Sequence, residues 1–439
     1  MKKVLILGAG LVARPLVRYL LDQPEFQVEV ASRTVSKAVK LIEGHPRGVA
    51  KELNLKNEEA LKNEIAAADL VISMVPYAFH PKVAEFCIGF KKQMVTTSYV
   101  SDAMKMLDQD ARKAGVIILN ELGLDPGIDH MEAMRVIHEI HDKGGELLSF
   151  ISFCGGLPAA EANTNPFGYK FSWSPTGVLL AGKNSAQYLQ DGQEVFIPAE
   201  KLFESYGLRT IEGLGVFEGY PNRNSLPYID LYGVPETKTM LRGTLRYLGW
   251  CETVRTMVRL GVLDQDEKDW SGLTFAGFLR TLMNTQAKDL KQEVSERLGI
   301  PSGLAVLRRL EWLGLFSDEP LPLQKGAALD VISARMTDKL AYAPGERDMI
   351  VLQHEFIASY PGDGQKRIIS TLIDYGIPDG DSSMSRTVGL PAAIGTRLIL
   401  EGKIRETGVH IPVNPGIYEP ILAELKILNI AFKEKRETI

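Results

Sequence analysis

Val4-Leu5-Ile6-Leu7-Gly8-Ala9-Gly10-Leu11-Val12-Ala13 opens on a short aliphatic run and closes on a G-x-G-x-x-A turn. Four consecutive aliphatic side chains suit a strand buried on both faces, as in a parallel sheet. Gly8 permits a tight turn, Gly10 lets the backbone approach a pyrophosphate, and Ala13 lets the next helix pack close to the sheet. The N-terminus of that helix, expected over Leu11 to Leu21, faces the anion. Lys2 and Lys3 before an apolar run imitate a signal peptide. Gly8 and Gly10 interrupt that run, however, Arg14-Pro15 closes it, and no small-residue cleavage pattern follows.

The same alternation continues outward. Strands are expected at Gln27 to Ala31, Val49 to Leu53, Leu70 to Val75, Met94 to Thr97 and Val116 to Leu119, with helices at Thr34 to Glu43 and Glu58 to Ala67. A further helix is expected after Ser101, a good N-cap, ending at Gly115, a good C-cap. Six strands alternating with helices predict a Rossmann-type doubly wound parallel sheet over 1–125, completed by 380–439. Beyond it the rhythm changes. A strand from Leu147 to Cys154, a Gly-, Pro- and Asn-rich loop from Gly155 to Gly168, and a helix from Leu245 to Leu260 predict a mixed α+β substrate domain. Strands at Met349 to Ile357 and Arg367 to Tyr375, joined across Asp363-Gly364, complete it. Its expected bounds are 126–260 and 345–379, with an all-helical insertion at 261–344 carrying the apolar stripes FLRTLM, LAVLRRLEWLGLF and ALDVISARM. A final helix is expected from Thr387 to Glu401.

Composition narrows the function classes. The 439 residues are 45% hydrophobic and 24% charged, an ordinary globular balance. Fifty basic against 55 acidic side chains give a net charge of −5, which speaks against nucleic acid or an anionic membrane as the main partner. No run of about 18 apolar residues occurs, so no spanning helix is expected. Cys87, Cys154 and Cys251 lie far apart, without metal-ligand spacing or a disulfide pattern, and a reducing, cytoplasmic location is expected. No metal site is expected: His138 and His141 are three apart on a helical stretch, yet HEIH is not a metal motif. His80, before Pro81, reads as a loop residue.

The end of the second strand selects the cofactor. An NAD site wants an acid at the tip, but Glu29 lies inside the strand. Ser32, Arg33 and Thr34 instead offer a cation and two hydroxyls, which suit the 2′-phosphate of NADP.

Several unusual segments remain: Val75-Pro76-Tyr77, Thr97-Ser98-Tyr99, NELGLDPGIDH from Asn120 to His130, CGGLP from Cys154, GYKFSWSP from Gly168, Tyr220-Pro221-Asn222-Arg223, and RGTLRY from Arg242. In this order they resemble the saccharopine reductase family, the glutamate-forming saccharopine dehydrogenases. The resemblance runs from Val4 to about Glu401. It implies a dinucleotide domain, a mixed substrate domain and a helical domain. It also implies an oxidoreductase of lysine metabolism acting on a CH–NH group, which interconverts saccharopine, NADP and water with L-glutamate, 2-aminoadipate 6-semialdehyde and NADPH.

By the same resemblance Gly10, Leu11, Val12, Ala13, Ser32, Arg33, Thr34, Asn54, Leu55, Val75, Thr97, Leu124, Pro126 and Ser174 line the cofactor, beside Gly8 of the turn. Asn54 stands where the family is expected to carry an acid. Ser98, Tyr99, Asp125, Arg223, Thr244, Leu245 and Arg246 are implied to meet saccharopine, and Cys154 lies in a segment that would touch it. Saccharopine carries three carboxylates, and buried carboxylates need cations, for which Arg223 and Arg246 are the candidates. Their bland reading is ordinary surface pairing. The mechanism this implies is that hydride leaves the carbon beside the secondary amine, water hydrolyses the iminium, and Asp125 or water is expected to take the amine proton. Asp125 before Pro126 also reads as an N-cap. Rival functions are a carboxynorspermidine or lysine dehydrogenase, or a non-catalytic NADP-binding sensor. A homodimer is the expected assembly.

Overall fold

The computed structural model of the chain describes residues 1–301 and 303–439; Ser302, within the expected helical insertion, lies outside them. The chain divides into two compact units. The first comprises Met1–Glu146, Tyr360–Gly364 and Gly376–Lys435, and the second Leu147–Ser359, Gln365–Tyr375 and Arg436–Ile439.

The chain begins with β1 (Lys2–Leu7), α1 (Arg14–Asp22), β2 (Phe26–Ser32), α2 (Val35–Ile42), β3 (Gly48–Glu52), α3 (Glu58–Ala67), β4 (Leu70–Ser73), α4 (His80–Gly89), β5 (Gln93–Thr96), α5 (Asp102–Lys105), α6 (Asp108–Ala114), β6 (Ile117–Leu119) and α7 (Ile128–Asp142). It continues through β7 (Glu146–Pro158), α8 (Pro175–Ala181), β8 (Ala186–Gln190), β9 (Gln193–Ile197), β10 (Gly207–Ile211), β11 (Gly215–Pro221), α9 (Pro227–Tyr232), β12 (Thr239–Arg246) and α10 (Trp250–Arg259). A mainly helical stretch follows: β13 (Glu267–Asp269), α11 (Phe275–Met283), α12 (Leu290–Leu298), α13 (Ala305–Leu313), β14 (Lys325–Ala327) and α14 (Ala328–Lys339). The last elements are β15 (Asp348–Tyr360), β16 (Gly364–Tyr375), α15 (Ser383–Leu400), β17 (Gly408–His410), α16 (Pro415–Ile427) and β18 (Lys433–Thr438).

The first unit holds a seven-stranded sheet in the order β17-β6-β5-β4-β1-β2-β3. Its neighbours are all parallel. Val4 to Leu7 are fully buried, as a strand covered on both faces requires. The strand order reverses at β1 and β4, so the ligand crevice of such a sheet lies at their carboxyl ends. The parallel doubly wound sheet is thus as expected, with one strand more. β17 extends it beside β6 and comes from the segment after Thr407, where no individual strand was expected. α1 begins at Arg14, not Leu11, because the glycine turn occupies the intervening residues and Pro15 suits the first helical turn. The expected helix between Ser101 and Gly115 is broken into α5 and α6, although both caps form: Ser101 accepts from Met104 N–H, and Gly115 is left-handed.

The second unit is built on a mixed sheet, β10-β11-β12-β7-β15-β16-β18, with β8 attached to β12 and β9 to β8. β12 runs parallel to β7 and antiparallel to β11. The helix expected from Leu245 is instead the end of strand β12 followed by α10, because left-handed Gly249 breaks the backbone between them. The expected loop from Gly155 is strand as far as Pro158. One apolar cluster joins the sheet residues Phe153, Phe217 and Leu245 to Trp250, Phe278, Leu310 and Ile332 of the helices. The helical stretch therefore has no separate core. α7 falls within the first unit, which runs to Glu146 rather than to the expected boundary at 125.

Candidate active site

The carboxyl ends of the parallel strands gather most of the expected cofactor residues along one edge of the first unit. After β1, Gly8 sits at φ 113°, and a Cβ there would lie 2.8 Å from the Met74 carbonyl oxygen, so only glycine fits. Gly10 has no atom within 4 Å of its missing Cβ, and Leu11 is 67% exposed, which leaves the backbone open to a ligand. Val12 is half-buried and Ala13 fully buried. Among the described residues no side chain caps the start of α1, so its first amides are unclaimed by a capping group.

Ser32, Arg33 and Thr34 follow β2. Arg33 is exposed and makes no ion pair among the described residues, whereas Glu29 is buried and held by Lys3 at 2.8 Å and Lys51 at 3.3 Å. The acid of β2 is thus occupied, and the cation after it is available. Asn54 and Leu55 follow β3, where the Asn54 side chain accepts from Lys56 N–H at 3.1 Å. Val75 follows β4 and Thr97 follows β5, while Leu124 and Pro126 lie in the segment after β6. Ser174 belongs to the second unit, where its hydroxyl caps α8 by accepting from Gly177 N–H at 3.2 Å.

Ser98, Tyr99 and Asp125 share the same edge of the first sheet. The Tyr99 hydroxyl donates to Asp125 Oδ1 at 3.0 Å. Asp125 does not cap α7: the N-cap is Gly127, at φ 147°, and its N–H donates to Asp129 Oδ1 at 2.6 Å. A Cβ on Gly127 would lie 2.0 Å from the Gly123 carbonyl oxygen, so the D-P-G sequence folds back on itself only with glycine there. The Asp125-Pro126 peptide is cis. Asp125 thus lies outside the helix cap, with the Tyr99 hydroxyl among its partners.

Three residues of NELGLDPGIDH that the sequence singled out only as a motif form a buried cluster. His130 Nε2 lies 2.7 Å from Glu121 Oε2, and Nδ1 lies 3.6 Å from Asp129 Oδ2. The other Glu121 oxygen accepts from Val100 N–H at 2.9 Å. The cluster therefore fixes the backbone that carries Ser98 and Tyr99. His80 is another correction. It is 2% exposed, opens α4 rather than a loop, and contacts Ser73 and Ser98, while burial pushes its imidazole down to about 4. His138 is half-buried against Tyr418, whose ring stacks on it at 5.7 Å.

In the second unit, Thr244 and Arg246 sit on the carboxyl end of β12. Arg246 is 5% exposed, with its guanidinium carbon 4.9 Å from the Tyr169 ring and 5.4 Å from the Trp250 ring. Nη1 donates to the Leu245 carbonyl at 2.8 Å, while among the described residues the buried Nε has no hydrogen-bond partner, nor has Trp250 Nε1. Glu218, directly opposite Arg246, does not neutralise it: its oxygens accept from Gly249 and Cys251 N–H at 2.7 and 2.8 Å. Leu245 is wholly buried in the apolar cluster, so only its backbone is available. Arg223 is exposed, at φ 57°, just past the end of β11. Asn222 bonds opposite Arg242, so Arg223 and Arg246 are separated by about 13 Å or more along the strands. Arg242 was missed. It is buried over the Tyr228 ring and shares a face of β12 with Thr244 and Arg246, a signal present in the alternation of RGTLR. Cys154 pairs in register with Thr244.

A family model described as saccharopine dehydrogenase NADP binding domain matches residues 4–119, and one described as saccharopine dehydrogenase C-terminal domain matches 123–429. The chain is 41% identical, over 99% of both chains, to the saccharopine dehydrogenase (NADP+, L-glutamate-forming) of Saccharomyces cerevisiae. It is 38% identical to the mitochondrial alpha-aminoadipic semialdehyde synthase of Bos taurus, over 98% of this chain and 47% of that one. The apo histidine-tagged saccharopine dehydrogenase (L-Glu forming) from Saccharomyces cerevisiae, a solved structure, superposes with a TM-score of 0.90 at 40% identity, covering 100% of both chains. Matched over nearly its full length by these family models and relatives, the chain belongs to the saccharopine dehydrogenase family.

Proposed function

We infer that the chain is an NADP-dependent, L-glutamate-forming saccharopine dehydrogenase, an oxidoreductase of lysine metabolism. It interconverts saccharopine, NADP and water with L-glutamate, 2-aminoadipate 6-semialdehyde and NADPH. The observation that carries this reading is likeness over the whole length of both chains to enzymes of that name. It prevails over a carboxynorspermidine or lysine dehydrogenase and over a non-catalytic sensor. The deciding assay follows NADP reduction by absorbance with saccharopine as substrate. Reduction that depends on lysine or carboxynorspermidine but not on saccharopine overturns the reading.

The edge of the first sheet fits NADP: a glycine-only turn, open backbone at Gly10 and an exposed Arg33 suit a dinucleotide with a 2′-phosphate. Gly8 to Ala13 would hold the pyrophosphate, Ser32 to Thr34 the 2′-phosphate, and Asn54, Leu55, Val75, Thr97, Leu124, Pro126 and Ser174 the remaining surface. Bound NADP supplies the acceptor for the hydride from the carbon beside the secondary amine. Arg33→Ala removes the cation and leaves the turn intact. The NADP KM is expected to rise about tenfold while that for NAD changes little. Equal losses with both cofactors would remove Arg33 from the 2′-phosphate.

Ser98, Tyr99, Asp125, Arg223, Thr244, Leu245 and Arg246 are proposed to meet saccharopine. Asp125 is the chain's own acceptor for the amine proton, held by the Tyr99 hydroxyl. Because α7 is capped without Asp125, Asp125→Asn tests charge alone. We expect kcat to fall about tenfold, with water taking part of the proton load, and the acidic limb of the pH profile to move. Wild-type rates and an unchanged profile would remove Asp125 from catalysis.

A cytoplasmic location is supported by Cys87, Cys154 and Cys251, which are buried and form no disulfide among the described residues. No helix among the described residues is long and apolar enough to cross a membrane. The expected assembly is a homodimer, read out by light scattering of the purified chain.

A further inference from the structure

His80 is buried beneath the segment that carries Ser98, on α4, and has no place in the chemistry described so far. Three hydroxyls surround its ring. Nδ1 lies 2.9 Å from Ser73 Oγ, Nε2 lies 2.8 Å from Ser98 Oγ, and Thr96 Oγ1 is 3.4 Å from Nε2. Thr96 Oγ1 also accepts from Ser98 N–H at 3.3 Å.

The direction of this chain of hydrogen bonds follows from burial. Ser73 is 0% exposed at the end of β4, and among the described residues the His80 ring is the partner of its hydroxyl. A buried O–H must find an acceptor, and an unprotonated Nδ1 is the acceptor within reach. A neutral imidazole has one donor and one acceptor, so Nε2 carries the hydrogen. Burial holds the ring neutral, its pKa pushed down to about 4. Nε2–H then donates to Ser98 Oγ, the nearer of its two hydroxyl neighbours. Ser98 is half-buried, and its own hydrogen is left without an acceptor in the described structure.

We propose that His80 is a positioning residue: anchored through Nδ1 on Ser73, it donates Nε2–H to Ser98 and so turns the Ser98 O–H outward as a donor to a saccharopine carboxylate. The inference rests on the reading that Ser98 meets saccharopine. The tautomer gives the Ser98 oxygen a donor and leaves its hydrogen free. The opposite tautomer would consume that hydrogen at Nε2 and offer the substrate only lone pairs, which repel a carboxylate.

Two measurements test it. The first is a cycle of His80→Asn and Ser98→Ala, alone and together, with saccharopine KM, kcat and NADP affinity measured for each. Asn retains a contact near Ser73 but does not reach Ser98. We expect His80→Asn to raise saccharopine KM about fivefold, with NADP affinity within about twofold of the parent. His80→Gln, whose longer amide can donate to Ser98, should recover most of the loss. In the Ser98→Ala background His80→Asn should add nothing. An equal further loss there overturns the inference and leaves Ser98 as a substrate contact. A Ser98→Ala variant with normal saccharopine KM overturns the substrate reading of Ser98 and the inference with it. Should His80→Asn fail to fold, Ser73→Ala takes its place, with an expected KM rise of about twofold that also vanishes without the Ser98 hydroxyl. The second measurement needs no variant of His80 beyond that used for assignment. Ring 15N shifts of histidine-labelled protein should show the Nε2-protonated tautomer, and an Nδ1-protonated ring overturns the proposal.

Discussion

Arg246→Met is expected to raise saccharopine KM by about a hundredfold while leaving the melting temperature at or above that of the parent chain. The two halves of this result have one cause. Arg246 is 5% exposed and stacks on Tyr169 and Trp250, yet among the described residues its Nε has no acceptor, and its cross-strand neighbour Glu218 is committed to the start of α10. A guanidinium out of water and without a carboxylate costs several kcal/mol. Such a cost persists in a native chain where a ligand supplies the missing acceptor. Met keeps the stem, the length and the contact with the two rings, and removes the charge. The free protein then loses a penalty, and saccharopine loses a charge-assisted hydrogen bond worth about 1.5–3 kcal/mol, or more if the contact is bidentate. Arg246→Lys separates charge from geometry: it retains the cation, lacks the planar fork, and should fall between Met and the parent. Exposed Arg223, by contrast, is expected to contribute less to binding, because water screens it. Calorimetric melting and saccharopine kinetics on the same preparation decide the matter. A large fall in melting temperature with an unchanged KM would make Arg246 a structural residue of the β12 edge.

Legibility in the sequence followed the range of the forces involved. The parallel sheet was readable because each strand announces itself by a local apolar run and each helix by its spacing, and β1 through β6 needed no distant information. β17 was not, since Gly408–His410 is too short for a pattern and becomes a strand only by pairing with β6. The helix expected at Leu245 shows the opposite failure: its apolar spacing is compatible with a helix, and a single left-handed Gly249 overrides it. At the site, the glycine turn and Arg33 were legible because their chemistry lies in adjacent residues. The Asp125 cap was misread because D-P at the head of a helical pattern carries the same signature whether or not the next residue turns the chain away. His80 and His130 were opaque for a different reason. Their partners Ser73, Ser98 and Glu121 arrive from other strands, and spacing along one sequence does not register a contact across a sheet.

His130→Ala is expected to destabilise the chain by about 3–5 kcal/mol, the cost of removing one partner from a buried charged group. His130 is 0% exposed, with Glu121 Oε2 at 2.7 Å and Asp129 Oδ2 at 3.6 Å. Without the imidazole, the buried Glu121 carboxylate loses its 2.7 Å partner and the buried Asp129 carboxylate loses a neighbour at 3.6 Å. That backbone is specific: Glu121 holds Val100 N–H at 2.9 Å, and Asp129 holds Gly127 N–H at 2.6 Å. The loss should therefore be local before it is global. Amide exchange at Val100 and Gly127 should accelerate more than exchange in β1 or β2, and saccharopine KM should suffer more than NADP affinity, because Ser98, Tyr99 and Asp125 sit on the two loosened segments. His130→Gln, which keeps a donor toward Glu121, should recover part of the stability. Hydrogen exchange is the decisive measurement, since the chain has two units and a single unfolding free energy need not describe both. Unchanged exchange at Val100 and Gly127 in a variant that still melts lower would place the role of His130 in packing alone and separate it from the substrate edge.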